Sequence, residues 1–369
     1  MKASLVTIHT GHNYGTVLQV IASVYVLNKH NIDVTVVNYI PPRCTYRYLL
    51  ANTKKAIKSK KGVSKIKSIL SGIHSLYFLW NTNLVFLGTI KRYCSLSNKI
   101  YWGDSFAKKC PKADYYITGS DQVWNSCHNQ GIDTHYFFDG IEGRKYALSS
   151  SIGAESLSEE EKKRFHDFLK QYEAISVRED KAVELLREIG ISSIQVLDPT
   201  LALNREEWHN AVSFRRMIKR DYLLLYIPYN VHDKEVILSF AKKIAVEKNL
   251  RIVTFTGMVK KRDEIDCLVL NTGPSGFISL MYYADCIITN SFHGTAFSIN
   301  FNRNFWVFMP TAFTSRIESL LSLCGLEDRI VEEKRDVLYT QREIDYYRVN
   351  QVLDEERVKF NGFITCHFN

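Results

Sequence analysis

No Cys-x-x-Cys pair occurs in the chain, although it has eight cysteines: Cys44, Cys94, Cys110, Cys127, Cys267, Cys286, Cys324 and Cys366. Scattered through 369 residues, they outline neither a disulfide framework nor a zinc site. They read as small apolar residues of a protein kept in a reducing cytoplasm. An apolar run of signal-peptide length is also missing, since Met1-Lys2-Ala3-Ser4-Leu5-Val6-Thr7-Ile8 has the size of a first strand. The G-x-G-x-x-G fingerprint and the lysine-bearing P-loop are absent. So is any grouping of His, Asp and Glu with metal-ligand spacing, and neither a metal nor a bound cofactor is expected.

Acidic residues do not balance the basic ones, and the formal net charge is +9. Such an excess suits a nucleic-acid partner, an anionic membrane surface or acidic substrates. Lys54, Lys55, Lys58, Lys60, Lys61, Lys65 and Lys67 crowd one stretch, while signs are mixed elsewhere. That stretch lacks the interleaved aromatics or reading motif of a nucleic-acid site, so no nucleic-acid partner is expected. With the apolar residues Ile73 to Ile90 behind it, two readings are open. It is a basic helix lying on a membrane surface, or a helical hairpin packed on the protein with a solvated lysine face. Asn81, Asn83 and Gly88 break the apolar run, which makes it unfit to span a bilayer.

The apolar fraction is 46% and the charged fraction 24%, as in ordinary globular proteins. A chain of this length exceeds one ordinary core, so two lobes and a cleft are expected. Ser4 to Ile8 reads as a strand, His9 to Tyr14 as a polar loop, Gly15 to Lys29 as a helix and Val34 to Asn38 as a strand. This βαβ opening builds a parallel sheet. Further strands are predicted at Tyr115 to Thr118, Tyr146 to Ser149, Ala174 to Val177 and Gln195 to Leu197. A second series starts at Tyr222 to Ile227 and continues with strands at Arg251 to Phe255, Cys286 to Thr289 and Phe305 to Phe308. The expected fold class is α/β, with two facing Rossmann-like doubly wound domains. Residues 1–203 form the first, with a basic and apolar helical insertion at about 44–100. Residues 204–340 form the second, and 341–369 a helix crossing back to the first.

Ligands of doubly wound sheets bind beyond the carboxyl ends of the strands, where four loops are chemically loaded. Thr289-Asn290-Ser291-Phe292-His293-Gly294-Thr295 offers free N–H groups at a helix start, a glycine permitting close ligand approach, and a histidine able to act as acid or base. A histidine that only caps or packs is the structural alternative. His9-Thr10-Gly11-His12-Asn13-Tyr14-Gly15, with Gln19 one turn on, is a cradle for phosphate or sugar, or an ordinary capped turn. Gly119-Ser120-Asp121-Gln122-Val123-Trp124-Asn125 suits a sugar, with an indole face over the ring and Asp121 as base toward a hydroxyl. The alternative has Asp121 capping a helix and Trp124 buried. In Ala174-Ile175-Ser176-Val177-Arg178-Glu179-Asp180, Arg178 can grip a phosphate or carboxylate, or pair with Glu179 or Asp180.

Together these segments, with Asp198-Pro199-Thr200-Leu201, Ala284-Asp285, Ser315-Arg316-Ile317 and Gly325-Leu326-Glu327-Asp328-Arg329, resemble the polysaccharide pyruvyl transferase family. The resemblance implies a fold like the two-lobed glycosyltransferases of type B. It implies phosphoenolpyruvate as a co-substrate and a sugar acceptor, two of whose hydroxyls are joined as a pyruvate ketal. By motif match it points to His293 and Arg178 at the donor; the reading of the residues themselves adds Ser291, Phe292, Gly294 and Thr295 there and makes His293 and Asp121 the expected catalytic pair. The acceptor falls to His12, Asn13, Tyr14, Gly15, Gln19, Ser120, Asp121, Gln122, Trp124 and Asn125. Where relatives have Arg-Leu-His, this chain has Ser291-Phe292-His293, and Arg316 is expected to supply the missing cation, with Arg303 behind it. A lipid-diphosphate-linked acceptor and peripheral contact with the inner membrane face are the further expectations. A nucleotide-sugar-dependent glycosyltransferase, or a glycan-assembly protein that binds without catalysis, fits the same architecture.

Overall fold

A computed structural model describes residues 1–11, 13–58, 63–230, 233–255, 265–270, 272–311, 314–332 and 342–368. The first lobe opens with β1 (Lys2–Val6), α1 (Tyr14–Lys29) and β2 (Asp33–Val36), the strands parallel with Lys2 opposite Asp33. There follow β3 (Tyr39–Ile40), α2 (Tyr46–Lys58), α3 (Val63–Tyr93), β4 (Ser95–Leu96), β5 (Ile100–Tyr101) and α4 (Phe106–Lys109). Next come β6 (Tyr115–Thr118), α5 (Ser126–Asn129), β7 (Arg144–Ser150), α6 (Glu159–Leu169), β8 (Tyr172–Val177), α7 (Asp180–Glu188) and β9 (Ile194–Gln195). Seven of the strands form a parallel sheet in the order β4-β2-β1-β6-β7-β8-β9, and β3 pairs with β5 apart from it.

Short helices α8 (Pro199–Ala202) and α9 (Arg205–Ala211) lead to the second lobe. It comprises β10 (Tyr222–Tyr226), α10 (Lys234–Glu247), β11 (Arg251–Thr254), β12 (Cys267–Leu268), α11 (Pro274–Tyr283), β13 (Cys286–Thr289), α12 (Phe292–Asn300), β14 (Asn304–Val307) and α13 (Ser315–Cys324). Its parallel sheet is ordered β12-β11-β10-β13-β14. Every residue of β10 is buried, as an unbroken apolar run between two helical layers requires. The fold is thus two Rossmann-like doubly wound lobes.

Local chemistry sets the helix ends. Ser158 and Glu161 close a capping box on α6, and Asn204 and Glu207 do the same on α9. Gly325, at φ 64°, takes the left-handed turn that ends α13. Helix α1 is buried over most of its surface because it is wedged between the lobes. Its Leu18, Ile21 and Val24 share one apolar core with Phe277, Phe297 and Ile287 of the second lobe. Helix α14 (Tyr346–His367) returns to the first lobe, where Phe368 packs on Tyr115 and Tyr146 at 5.4 and 4.7 Å between ring centres.

Asn81, Asn83 and Gly88 break the apolar run but not the helix, for α3 runs 31 residues without a break. One expectation is corrected: the sequence predicts a helix from Gly294, and α12 begins two residues earlier, at Phe292. No helix among the described residues is long and apolar enough to cross a membrane.

Candidate functional site

Each sheet reverses its strand order once, between β1 and β6 in the first lobe and between β10 and β13 in the second. At such switch points the loops leaving the strands diverge and open a crevice. Here the two crevices face each other. A cleft of about 310 Å³ is lined by Thr10, Gly11, Asn13 and Thr16 after β1, Asp121 and Gln122 after β6, Tyr229 after β10, and Asn290, Phe292 and His293 after β13. Arg43, His128 and Arg316 also line it.

Beneath its floor lies a buried charge cluster. Arg178, its side chain 1% exposed, donates from Nη1 to Asp198 at 2.6 Å and from Nη2 to Asp121 at 3.4 Å, with Glu179 3.6 Å from Nε. Asp198 also accepts from the backbone and hydroxyl of Thr200, capping α8. Glu179 accepts from Ser151 Oγ and from the backbone of Ile152 and Gly153, which fixes the loop after β7. Asp121 accepts from Thr16 Oγ1 at 2.7 Å and sits at φ 72°, a left-handed backbone that costs a non-glycine residue strain. Arg178 therefore lies behind Phe292, committed to carboxylates, and lines a small cavity on that side and not the cleft.

The Phe292 ring carries two guanidiniums, Arg178 Cζ at 5.4 Å and Arg316 Cζ at 5.6 Å from its centre. Nε of Arg316, like that of Arg178, is buried with no hydrogen-bond partner among the described residues, but Arg178 is ion-paired to three carboxylates and Arg316 forms no ion pair with the described residues. The imidazole of His293 is 3% exposed, and its Nε2 is likewise buried and unpartnered. Its ring lies on α1, where a Cβ added to Gly15 would be 2.0 Å from Nδ1.

Electrostatics divide these groups. Burial drives the His293 pKa down to about 4, with Asp198 and Asp121 opposing and Arg178 and Arg316 assisting, so the imidazole is neutral at pH 7. Burial would raise the Asp121 carboxyl, but Arg178, His293, Thr16 and Arg316 hold it well below the usual range. It is an ionised and poorly basic carboxylate. Burial, and then Arg178, make the protonated form of Arg316 less favourable than usual. Burial and Arg43 lower the pKa of His128.

Of the sequence candidates, the structure brings Asn13, Asp121, Gln122, Phe292, His293 and Arg316 to the cleft. Others support it from behind. Gln19 donates to Thr7, Ile8 and Thr16, pinning the loop after β1 to α1. Tyr14 stacks on Phe277 at 4.9 Å and donates to the Thr272 carbonyl, joining the lobes. Ser120 donates to Asp198. Ser291 starts α12, and Thr295 bonds back to its carbonyl.

Four expectations need correction. Trp124 does not cover a ligand: it is 2% exposed, stacked 5.7 Å from Phe137, and donates to the Tyr136 carbonyl. Asn125 caps α5 and bonds Gly153. Gly294 serves close packing on Thr289, whose Oγ1 would be 2.1 Å from an added Cβ, and not the approach of a ligand. Arg303 precedes β14, at the edge of the sheet opposite the cleft, where it bonds the Ala284 carbonyl and covers Tyr282. His12 lies outside the described residues. Sequence reasoning missed Arg43, His128 and Tyr229. Arg43 follows Pro41-Pro42 at the carboxyl side of β3, the one signal that could have found it.

Among solved structures, the chain is similar to the UDP-GlcNAc 2-epimerase of Methanocaldococcus jannaschii, at 15% identity over 96% of this chain and 92% of that one, with a TM-score of 0.47. It is also similar to the UDP-GlcNAc 2-epimerase of Neisseria meningitidis bound to UDP-GlcNAc, at 11% identity over 98% and 93%, with a TM-score of 0.46. No curated protein matches it. The sequence model of polysaccharide pyruvyl transferase matches residues 13–310, a stretch that holds most of the cleft's lining and the whole charge cluster beneath it. The chain belongs to the polysaccharide pyruvyl transferase family.

Proposed function

We propose that the cleft transfers the pyruvyl group of phosphoenolpyruvate to two hydroxyls of one sugar, releasing phosphate and leaving a pyruvate ketal. The observation that carries this reading is that Arg316 Nε and His293 Nε2, two groups lining the one cleft, are both buried without a hydrogen-bond partner among the described residues. A buried guanidinium with an unsatisfied N–H is a receptor for an anion. With Arg43, Arg316 supplies the positive charge for a phosphate and a carboxylate, in place of the cation expected where Ser291 stands.

The steps follow from charge and reach. A multiply charged donor brought beside His293 favours its imidazolium, which burial disfavours. That imidazolium protonates the donor methylene carbon and makes C2 electrophilic. One sugar hydroxyl adds to C2, phosphate leaves with its bonding pair, and the second hydroxyl closes the ketal. Two hydroxyl protons are released: one restores His293, the other departs with phosphate. Asp121, ionised and held by Thr16 and Arg178, stabilises the positive charge of His293 and of the C2 centre. Lipid-diphosphate-linked sugars and polymer ends are both acceptors of the required chemistry.

The test is to incubate the protein with phosphoenolpyruvate and a panel of sugar acceptors, following phosphate release and acceptor mass. The expected product gains one pyruvate less one water, and His293→Asn loses it. Glycosyl transfer from a nucleotide sugar, with no phosphate from phosphoenolpyruvate, would overturn the proposal.

A further inference from the structure

From Val34 to Gly103, seventy consecutive residues contain no aspartate or glutamate but hold twelve of the 48 lysines and arginines. The rest of the chain has 36 basic residues against 39 acidic ones, so the whole positive excess comes from this segment. Its long helices, α2 and α3, pack where Gly72 leaves room for Thr53, which an added Cβ would meet at 2.3 Å. Phe86 and Ile90 of α3 are buried in the main core.

Around the helix axis, at about 100° per residue, Gly72, Phe86 and Ile90 share one face. Ile66, Leu70, Ile73, Tyr77, Trp80 and Leu84 share another, centred about 120° from Gly72 and Ile90. These six are between 54% and 61% exposed. They recur every three or four residues along about 27 Å of helix. Tyr77 and Trp80 lie 6.2 Å apart between ring centres. The helix thus turns an aromatic and aliphatic stripe outward while its anchored face already fills the core. Lys54, Lys55 and Lys58 of α2 and Lys67 of α3, in the same helix pair, are exposed.

We infer that this face docks the protein on an anionic lipid bilayer, with the stripe at the boundary of headgroups and acyl chains and the lysines at lipid phosphates. An exposed apolar stripe in a segment whose charges are all of one sign meets both requirements of an interfacial helix, whereas a protein partner would need acidic groups to face those lysines. The same helix reaches toward the cleft by its other side: Phe86 and Leu87 of α3 line a cavity of about 210 Å³ that shares Thr10, Gly11 and Cys44 with it. The inference stands apart from the identity of the reaction.

Cosedimentation of the full chain with vesicles tests it, using phosphatidylcholine alone or mixed with phosphatidylglycerol. Binding to the mixed vesicles is expected to be about tenfold stronger or more, and to weaken as salt is added. Ile73→Glu/Trp80→Glu and, separately, Lys54→Gln/Lys55→Gln/Lys58→Gln are each expected to abolish it with melting temperature unchanged, since all five side chains are exposed. Equal binding to both vesicles, no binding to either, or retention by either variant overturns the inference. So does a dimer, seen by sedimentation velocity, that the glutamate substitutions dissociate in a protein that binds no vesicles.

Discussion

A buried guanidinium with an unsatisfied N–H destabilises the protein that holds it, and Arg316, whose Nε has no partner among the described residues, is held so against the ring that also carries Arg178. Arg316→Gln is therefore expected to leave the melting temperature unchanged or raise stability by about 1 kcal/mol. The same substitution should raise the donor KM about 100-fold, as loss of a charge-assisted contact does. Asp198→Asn is the opposite case, because Asp198 both neutralises Arg178 and caps α8. It should cost about 1.5–3 kcal/mol in denaturant unfolding, the loss of a charge-assisted hydrogen bond, since Asp121 and Glu179 still neutralise Arg178. His293 and Asp121 were legible in sequence because each stands in a polar run just past an apolar strand. Arg43 was not, since nothing local distinguishes an arginine that folding brings to a cleft from one left in solvent. Trp124 misled because sugar-binding and core tryptophans have the same neighbours in sequence and differ only in what tertiary packing places over the ring.

At the scale of elements, the cleft depends on how closely α1 and α12 approach. Gly15, in the first turn of α1, gives its missing Cβ volume to the His293 ring of α12. Gly15→Ala should cost about 1–3 kcal/mol in thermal unfolding, as overpacking does. Turnover should fall about 100-fold through kcat, with little change in donor KM, because a shifted imidazole is misaligned for proton transfer while Arg316 stays in place. The order of strands and helices was readable because buried parallel strands alternate with amphipathic helices at regular spacing. Helix α3 was not readable as one piece. Asn81, Asn83 and Gly88 lower helix propensity by amounts that the anchoring of Phe86 and Ile90 in the core outweighs. Its exposed stripe becomes evident only when the buried face is known.

Across the whole molecule, charges from both lobes converge on one histidine: Asp121, Asp198 and Arg178 from the first, Arg316 from the second. With its pKa lowered by burial to about 4, His293 is neutral near pH 6, and an anionic donor beside it favours the charged form. Donor binding at that pH should take up as much as about one proton, seen in calorimetry as a dependence of the binding heat on the buffer's ionisation enthalpy. His293→Asn should remove that dependence, and the uptake should shrink as pH rises past the pKa of the occupied state. The positive excess, by contrast, is gathered between Val34 and Gly103, away from a remainder that is slightly acidic. Electrically the molecule is a needle with one marked end. A field from a negatively charged surface turns it before it touches, so most encounters begin at the basic end and few are spent on the wrong side.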